Sequence, residues 1–468
     1  MTILLDRRAD ITLEAFERVA WNGETVELGV AALAAMDRTH ESFEQMIAER
    51  LAADPAAQIY AITFGPGDAG PVDREHDTRP KTPWTGASFG QALPARVVRG
   101  IVLARLANFL EGHTAARKQV ATAVAALLQP GARMPAVPVQ GTGGAGEILP
   151  LGHLFYELGG LKLEPKESMA LINGSPCAAA LVADVALAAR GRTALAESMF
   201  ALSVEALLSP VEAYSADVEP LWDDPHETAA LRSLRSLLQG HREERMARQS
   251  PVSHRILGRV LGQNRRAQAE AARAAAVSLR AVTDNPVYIP PDAARPLGTV
   301  FSTGGYHNTQ APAAIDAVAS QWAQLAQLAE RHTDRLFQHP STAPLLYEAE
   351  FTYKQLHMVQ DGWAEEAASL AQPTLLNTAS WGQNDVPSQS FPAWRKADAI
   401  GRCLDSALGI LAVVAVHVLA TRDIAVPPAL SEVVLDVNRH VPPITEARLV
   451  GPELEALSRA FTGRVYPA

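Results

Sequence analysis

The sequence predicts a mostly α protein, with a bundle of long helices over 182–468 and a smaller part of mixed element type over 1–181. Two observations carry this reading. From residue 182 onward, Ala- and Leu-rich segments with helical spacing follow one another, several of them longer than an ordinary helix. Before it, short apolar runs alternate with Gly/Pro-rich stretches that cannot continue a helix.

In the N-terminal part, Val26 to Ala35 is short and mostly apolar, and Thr39 to Ala52 has helical spacing. Residues 58–64 (QIYAITF) read as a strand or buried extended segment that runs into the Gly/Pro loop GPGDAGP. A helix is expected over 94–128, stopped by QPGARMPAVPVQGTGGAGE with its three prolines and five glycines. The bundle helices are expected over 182–207, 227–239, 264–281, 310–338, 344–371, 395–421 and 445–461. Loops are expected at 249–263, 283–309 and 372–392, where a rigid scaffold can position chemistry.

Composition narrows the function. Of 468 residues, 48% are hydrophobic and 20% charged, enough for a large core and unlike a disordered chain. A net charge of −10 without a basic tail argues against nucleic-acid or anionic-membrane binding. The two cysteines, Cys177 and Cys403, exclude a disulfide framework and a cysteine zinc site. The N-terminus has early acids and no apolar h-region, and the apolar run Ala407 to Ala420 is broken by His417 and too short to span a bilayer. A soluble cytoplasmic protein is the expectation.

Few motifs stand on their own. Gly141 to Gly146 fits GxGxxG spacing, but Pro135 and Pro138 precede it and Pro150 follows, so the strand and helix of a dinucleotide site are lacking. The thirteen histidines contain no HExxH; His332 and His339 share a helix face, a pairing usually satisfied or solvated, and no metal is expected.

Seven ordered pieces of the chain, from Tyr60 to Ser388, resemble the aromatic amino acid lyases, which comprise the histidine, phenylalanine and tyrosine ammonia-lyases and the related aminomutases. The pieces after Tyr60 are PVQ-GTGGAGEILPLGH, LEPKESMALINGS, SPVSHRILGRVLG, VTDNPVYI, GGYHN, LAQP and QNDVPS. The resemblance implies an ammonia-lyase-like fold and a homotetramer whose active sites draw on three chains. It also implies a cofactor made from the chain itself, a methylidene-imidazolone (MIO) formed when an Ala-Ser-Gly triplet cyclises. Residue by residue, it implies Tyr60 as catalytic base and Arg255 as holder of the substrate carboxylate. Asn173 and Asn285 match the family asparagines, and Tyr306, His307, Gln383 and Asn384 would line the pocket.

Each carried-over role has a plainer counterpart. Tyr60 can be a core tyrosine with a satisfied hydroxyl, Arg255 a structural ion pair, and the asparagines helix caps or Asx turns. The chain also departs from the pattern. The triplet reads Gly144-Ala145-Gly146; the serine whose β-carbon becomes the methylidene is missing, and alanine has no leaving group, so no MIO is expected. Thr142 matches the residue before the triplet. Val252 stands where the second family tyrosine would, Gly258-Arg259 replaces a Pro-Gln pair, Gly305 replaces an asparagine, and the Ser-His pair expected near residue 90 reads Gly86-Ala-Ser-Phe-Gly90. One acid/base group and one anion anchor remain. Three readings follow: an MIO-independent enzyme performing elimination, addition or cyclisation on a small anionic specialised metabolite; a catalytically silent ligand-binding or partner homologue; and an ammonia-lyase whose serine is lost from the recorded sequence.

Overall fold

The computed structural model describes residues 2–64, 86–246, 249–347, 353–378 and 384–466. The GPGDAGP loop lies outside them. The described chain is mostly helical, as expected. Its principal helices are α1 (Val30–Ala53), α2 (Ala95–Leu110), α3 (Lys118–Ala126), α4 (Ile148–Phe155), α5 (Pro165–Ile172), α6 (Pro176–Leu207), α7 (Pro225–Leu237), α8 (Leu257–Arg280), α9 (Gln310–Gln338), α10 (Tyr353–Leu370), α11 (Ser390–Thr421), α12 (Ser431–His440) and α13 (Gly451–Val465). Two small sheets accompany them: β1 (Thr2–Leu5) pairs in parallel with β2 (Thr25–Leu28), and β3 (Val287–Ile289) antiparallel with β4 (Thr299–Phe301).

Packing divides the chain into two units. The first comprises Met1–Asp184, Ala271–Ala314 and Thr374–Arg395; the second comprises Val185–Glu270, Ile315–Pro373 and Lys396–Ala468. The first break falls after Asp184. The segment 283–309 and most of 372–392, however, group with the N-terminal residues rather than with the bundle.

The first unit is knit by buried polar groups. Asp184 accepts hydrogen bonds from Arg96 Nε (2.8 Å), Trp21 Nε1 (3.0 Å) and Trp394 Nε1 (3.1 Å), tying α6, α2 and α11 to one carboxylate. A core of Phe43, Met46, Ile47, Ile59, Ile62, Ala115 and Tyr288 packs α1 against residues 59–62 and β3. In the second unit, Arg192 and Asp405 form a fully buried pair (Nε–Oδ1 3.0 Å, NH2–Oδ2 2.8 Å). The guanidinium also stacks 4.5 Å from the Trp322 ring, and Thr462 Oγ1 donates to the same carboxylate.

Several expected boundaries are corrected. The helix expected over 94–128 breaks at 111–117, where Gly112 (φ +78) and Ala115 (φ +54) turn the chain. Residues 58–64 form a tight turn with a single Tyr60–Phe64 bridge; Ala61 at φ +61 cannot continue a strand. Most of 249–263 is helical, a turn at Val252–Arg255 and then α8. The segment 445–461 is helical only from Gly451, where α13 begins, and the helix runs on to Val465, while α12 was not anticipated. The expected helix 344–371 is Ala343–Tyr347 and α10, with 348–352 outside the described residues. Finally, α11 is long and apolar enough to cross a membrane, contrary to the shorter run read from sequence. Its most apolar window is nonetheless 83% buried within the chain itself.

Candidate active site

The degenerate loop rests on its neighbours through backbone. Gly144 (φ +96) and Gly146 (φ +71) take left-handed or extended positive-φ conformations that suit glycine. Gly144 O accepts from Ser388 N (3.2 Å), Gly146 O accepts from Gly174 N (3.1 Å), and Ser88 Oγ donates to Gly141 O (2.7 Å). A Cβ at Gly146 would stand 2.7 Å from Asn173 Oδ1. Residues 88, 173, 174 and 388 thus pack on the loop within the first unit.

Glu147 closes the loop. It too has a left-handed backbone (φ +57), and its carboxylate accepts the N–H groups of Cys177 (2.6 Å) and Ala178 (2.8 Å) at the start of α6. Burial raises its carboxyl to about 7, against the lowering effect of those N–H groups, the Cys177 thiol and Arg105. The same burial, together with the carboxylate, pushes the Cys177 thiol well above its ordinary range.

Asn173 sits beside this loop, 5% exposed, at the C-terminus of α5. Its carbonyl accepts both Arg105 NH1 (2.9 Å) and NH2 (2.6 Å), while its Oδ1 has no hydrogen-bond partner. A buried, unsatisfied acceptor aimed at the loop is costly unless a donor reaches it. Arg105 also lies 3.9 Å from Asp284 Oδ1, and Lys166 Nζ donates to Asp284 Oδ2 at 2.5 Å. Burial lowers the Lys166 ammonium, opposed by Asp284.

Tyr60 is half-buried in the turn that Ile59 and Ile62 anchor in the core. Thr63 Oγ1 holds that turn, accepting from Ile59 N (2.8 Å) and donating to Ala57 O (2.7 Å). Burial, then the neighbouring Tyr306 and Asp284, push the Tyr60 phenol up to about 12. Asp284, Lys166, Arg105, Asn173 and the 144–146 loop thus form one connected set, whose carboxylate also acts electrostatically on Tyr60. Asn285 joins it differently: its Oδ1 accepts Thr303 N (2.8 Å), so it serves the turn. His307 and Asn384 are half-buried in the same unit; Gln383 lies outside the described residues.

Arg255 belongs to the second unit, where its Nε is buried without a hydrogen-bond partner. The substituted positions near it have structural work. Arg259 pairs with Glu227 (2.7 Å) and stacks on Trp222 (4.1 Å); Gly258 leaves room for Leu231; Val252 is 60% exposed. Sequence reasoning missed Arg105, Glu147, Lys166, Asp284 and Cys177. Lys166 and Asp284 stood inside quoted motifs, whereas Arg105 sits in an apolar helix that gives no sign of it.

Residues 11–162 and 155–439 match the pattern described as aromatic amino acid lyase. A histidine ammonia-lyase of Deinococcus radiodurans is 31% identical over 71% of this chain and 68% of its own. One from Symbiobacterium thermophilum is 28% identical over 96% and 95%. Among solved structures, the ergothioneine-degrading enzyme ergothionase of Treponema denticola superposes with a TM-score of 0.86 at 18% identity, covering 100% of both chains. The histidine ammonia-lyase of Trypanosoma cruzi gives 0.81 at 21% identity, covering 100% and 94%.

Proposed function

Since the chain belongs to the aromatic amino acid lyase family, we propose that it is a lyase-type enzyme that works without MIO. It acts by acid/base chemistry on a small anionic metabolite whose reacting bond is already activated. The observation that carries this is the loop itself. Gly141 to Glu147 contains no serine, Ala145 offers only a methyl at its β-carbon, and Gly146 closes against Asn173 with no room for a side chain. The residues do not fit the group, so no step is routed through it.

Elimination is the reaction this site supports best. The Tyr60 oxygen, as phenolate, takes a proton from the carbon beside the leaving group. The C–H electrons become the new double bond, and the leaving group departs with its bonding pair. Lacking a covalent electrophile, the enzyme needs a leaving group that departs unaided. A quaternary ammonium, which leaves as a neutral amine, is such a group. Ergothioneine, a trimethylammonium carboxylate, belongs to that class, and an enzyme degrading it shares this fold. Addition or cyclisation of an activated substrate would use the same groups. Asn173 Oδ1 is the acceptor for a substrate N–H; the family motifs support Arg255 as a carboxylate anchor and Tyr306, His307, Gln383 and Asn384 as substrate-binding residues.

A cytoplasmic homotetramer is the assembly proposed. Its support is not the apolarity of α9 and α11, whose residues are mostly buried within the chain. A groove of about 420 Å³ in the second unit, lined by Ile256, Val260, Leu328 and Ala371 among others, together with exposed Met358 and Trp363, supports it better.

Two measurements test the reading. Intact mass should equal the encoded mass; a deficit of two waters would mean that MIO has formed. A panel of betaines and primary amino acids should yield an unsaturated acid from the former and not the latter. Turnover of neither class, with tight binding of one, would favour a silent homologue.

A further inference from the structure

We propose that Arg8 and Arg280, which the proposed reaction does not use, form a binding site for a small carboxylate with a short aliphatic body. The two side chains line one open groove of about 420 Å³ in the first unit, together with Ala9, Glu111, Val277 and Ala281. That volume lies within the roughly 300–1,000 Å³ usual for small-molecule pockets. Arg8 opens the short turn Arg8–Asp10 near the N-terminus. Val277 and Arg280 are three residues apart in the last turn of α8, so their side chains share a face.

Each guanidinium is fixed by some of its N–H groups and has others left over. Arg8 is held at three points: its backbone N and its Nε donate to Glu111 Oε1 (3.2 Å) and Oε2 (2.8 Å), and its NH1 donates to Arg280 O (2.8 Å). Arg280 Nε donates to Ala276 O (2.9 Å). Among the described residues, Arg8 NH2 and both terminal nitrogens of Arg280 reach no acceptor. Both oxygens of Glu111 accept from Arg8, so the carboxylate in the groove wall matches one guanidinium and leaves the other without a counter-charge. Three groups of donors on two pre-set guanidiniums, with one positive charge in excess, suit a single anion.

A cation at a helix C-terminus ordinarily complements the last carbonyls. That role accounts for Arg280 Nε and leaves its terminal fork, whose geometry matches the two oxygens of a carboxylate. The carbonyls that would repel an anion are covered, Arg280 O by Arg8 and Ala276 O by Arg280. Ala9, Val277 and Ala281 give the groove an apolar wall, with Val277 42% exposed, so the occupant carries aliphatic carbon beside its charge. The groove of the second unit provides the contrast. It has a similar volume and also contains an arginine, Arg331, but that guanidinium engages both oxygens of Glu330 and lies 3.6 Å from Asp334. Its charge is already matched, and it offers no anion site.

The test uses the full chain carrying Arg255→Ala, so that the proposed substrate anchor does not compete for the probe. Isovalerate is titrated and followed by ligand-detected NMR, with isovaleramide, its uncharged counterpart, in parallel. The carboxylate should bind saturably, and the amide about tenfold more weakly or not at all. Adding Arg280→Gln should weaken isovalerate binding about tenfold or more. Adding Val277→Phe, which fills the groove and keeps both guanidiniums, should abolish it. Both positions are exposed, so both variants should keep the Tm of the parent. The proposal is overturned if isovalerate does not saturate, if the amide binds equally well, or if either variant binds as the parent does. Inorganic phosphate binding as tightly as isovalerate would overturn the carboxylate assignment.

Discussion

Lys166 Nζ lies 2.5 Å from Oδ2 of Asp284, with the two side chains 4% and 0% exposed. Asp284 is also one of the groups that keep the phenol of Tyr60, the tyrosine proposed to move protons, un-ionised. Arg105, 3.9 Å from the same carboxylate, links the pair to Asn173.

Removing one member of the pair leaves a buried charge unmatched. Lys166→Met should therefore cost about 3–5 kcal/mol in urea unfolding, and Lys166→Met combined with Asp284→Asn should recover part of it. If the single variant is as stable as the wild type, the pair is not sealed from water as described.

Tyr60→Phe should leave the fold unchanged and lower turnover by about 10²–10⁴-fold, the usual worth of one positioned acid/base group. A phenol held at about 12 stays protonated through the neutral range. The reactive phenolate then increases with pH, so kcat/KM should rise about tenfold per pH unit toward the alkaline side. A plateau near neutral pH would assign the base to another residue, His307 first.

Glu147 yields a stability test. Its carboxyl is raised from 4.5 to about 7 in the folded chain. Between those values the folded state binds the extra proton, so stability falls as pH rises through this window and levels off above it. The full excursion is of order 3 kcal/mol. Urea unfolding of Glu147→Gln should lack this slope, and the difference between the two pH curves isolates the group. Parallel curves would mean that Glu147 titrates normally.

Much of this was readable in the chain, and the misses have physical causes. The helix Gln310–Gln338 was legible because its apolar residues repeat at the helical period. The span 249–263 was misread because Gly258 and Gly262 look like loop residues. They are packing glycines one turn apart, where a Cβ would meet Leu231 at 2.7 Å and Glu227 at 2.5 Å. The 58–64 strand failed at Ala61, whose positive φ no pattern announces. In the site, motif likeness drew attention to Asn173 and Asn285 alike. Only coordinates separate them, one with an orphaned Oδ1 and the other spent on Thr303.

Arg255 gives the sharpest separation between a binding and a structural role. The turn that carries it is fixed by its neighbours. His254 is buried and stacked 3.9 Å from His332, whose Nε2 donates to Ser253 O (3.1 Å) and whose Nδ1 accepts from Ser203 Oγ (3.0 Å). Burial lowers both imidazoles, His332 to about 4, so the stack stays neutral at neutral pH. The turn does not depend on the guanidinium, whose Nε is buried without a partner. Arg255→Ala should therefore fold with a nearly unchanged Tm while raising KM by the equivalent of about 2–5 kcal/mol, with a smaller change in kcat. Arg255→Lys should not restore KM, because an ammonium cannot reproduce the two parallel hydrogen bonds a guanidinium offers a carboxylate. A structural arginine predicts the reverse, a large fall in Tm and an unchanged KM in whatever protein still folds. That outcome would remove Arg255 from the site and leave the substrate's anion to be held elsewhere.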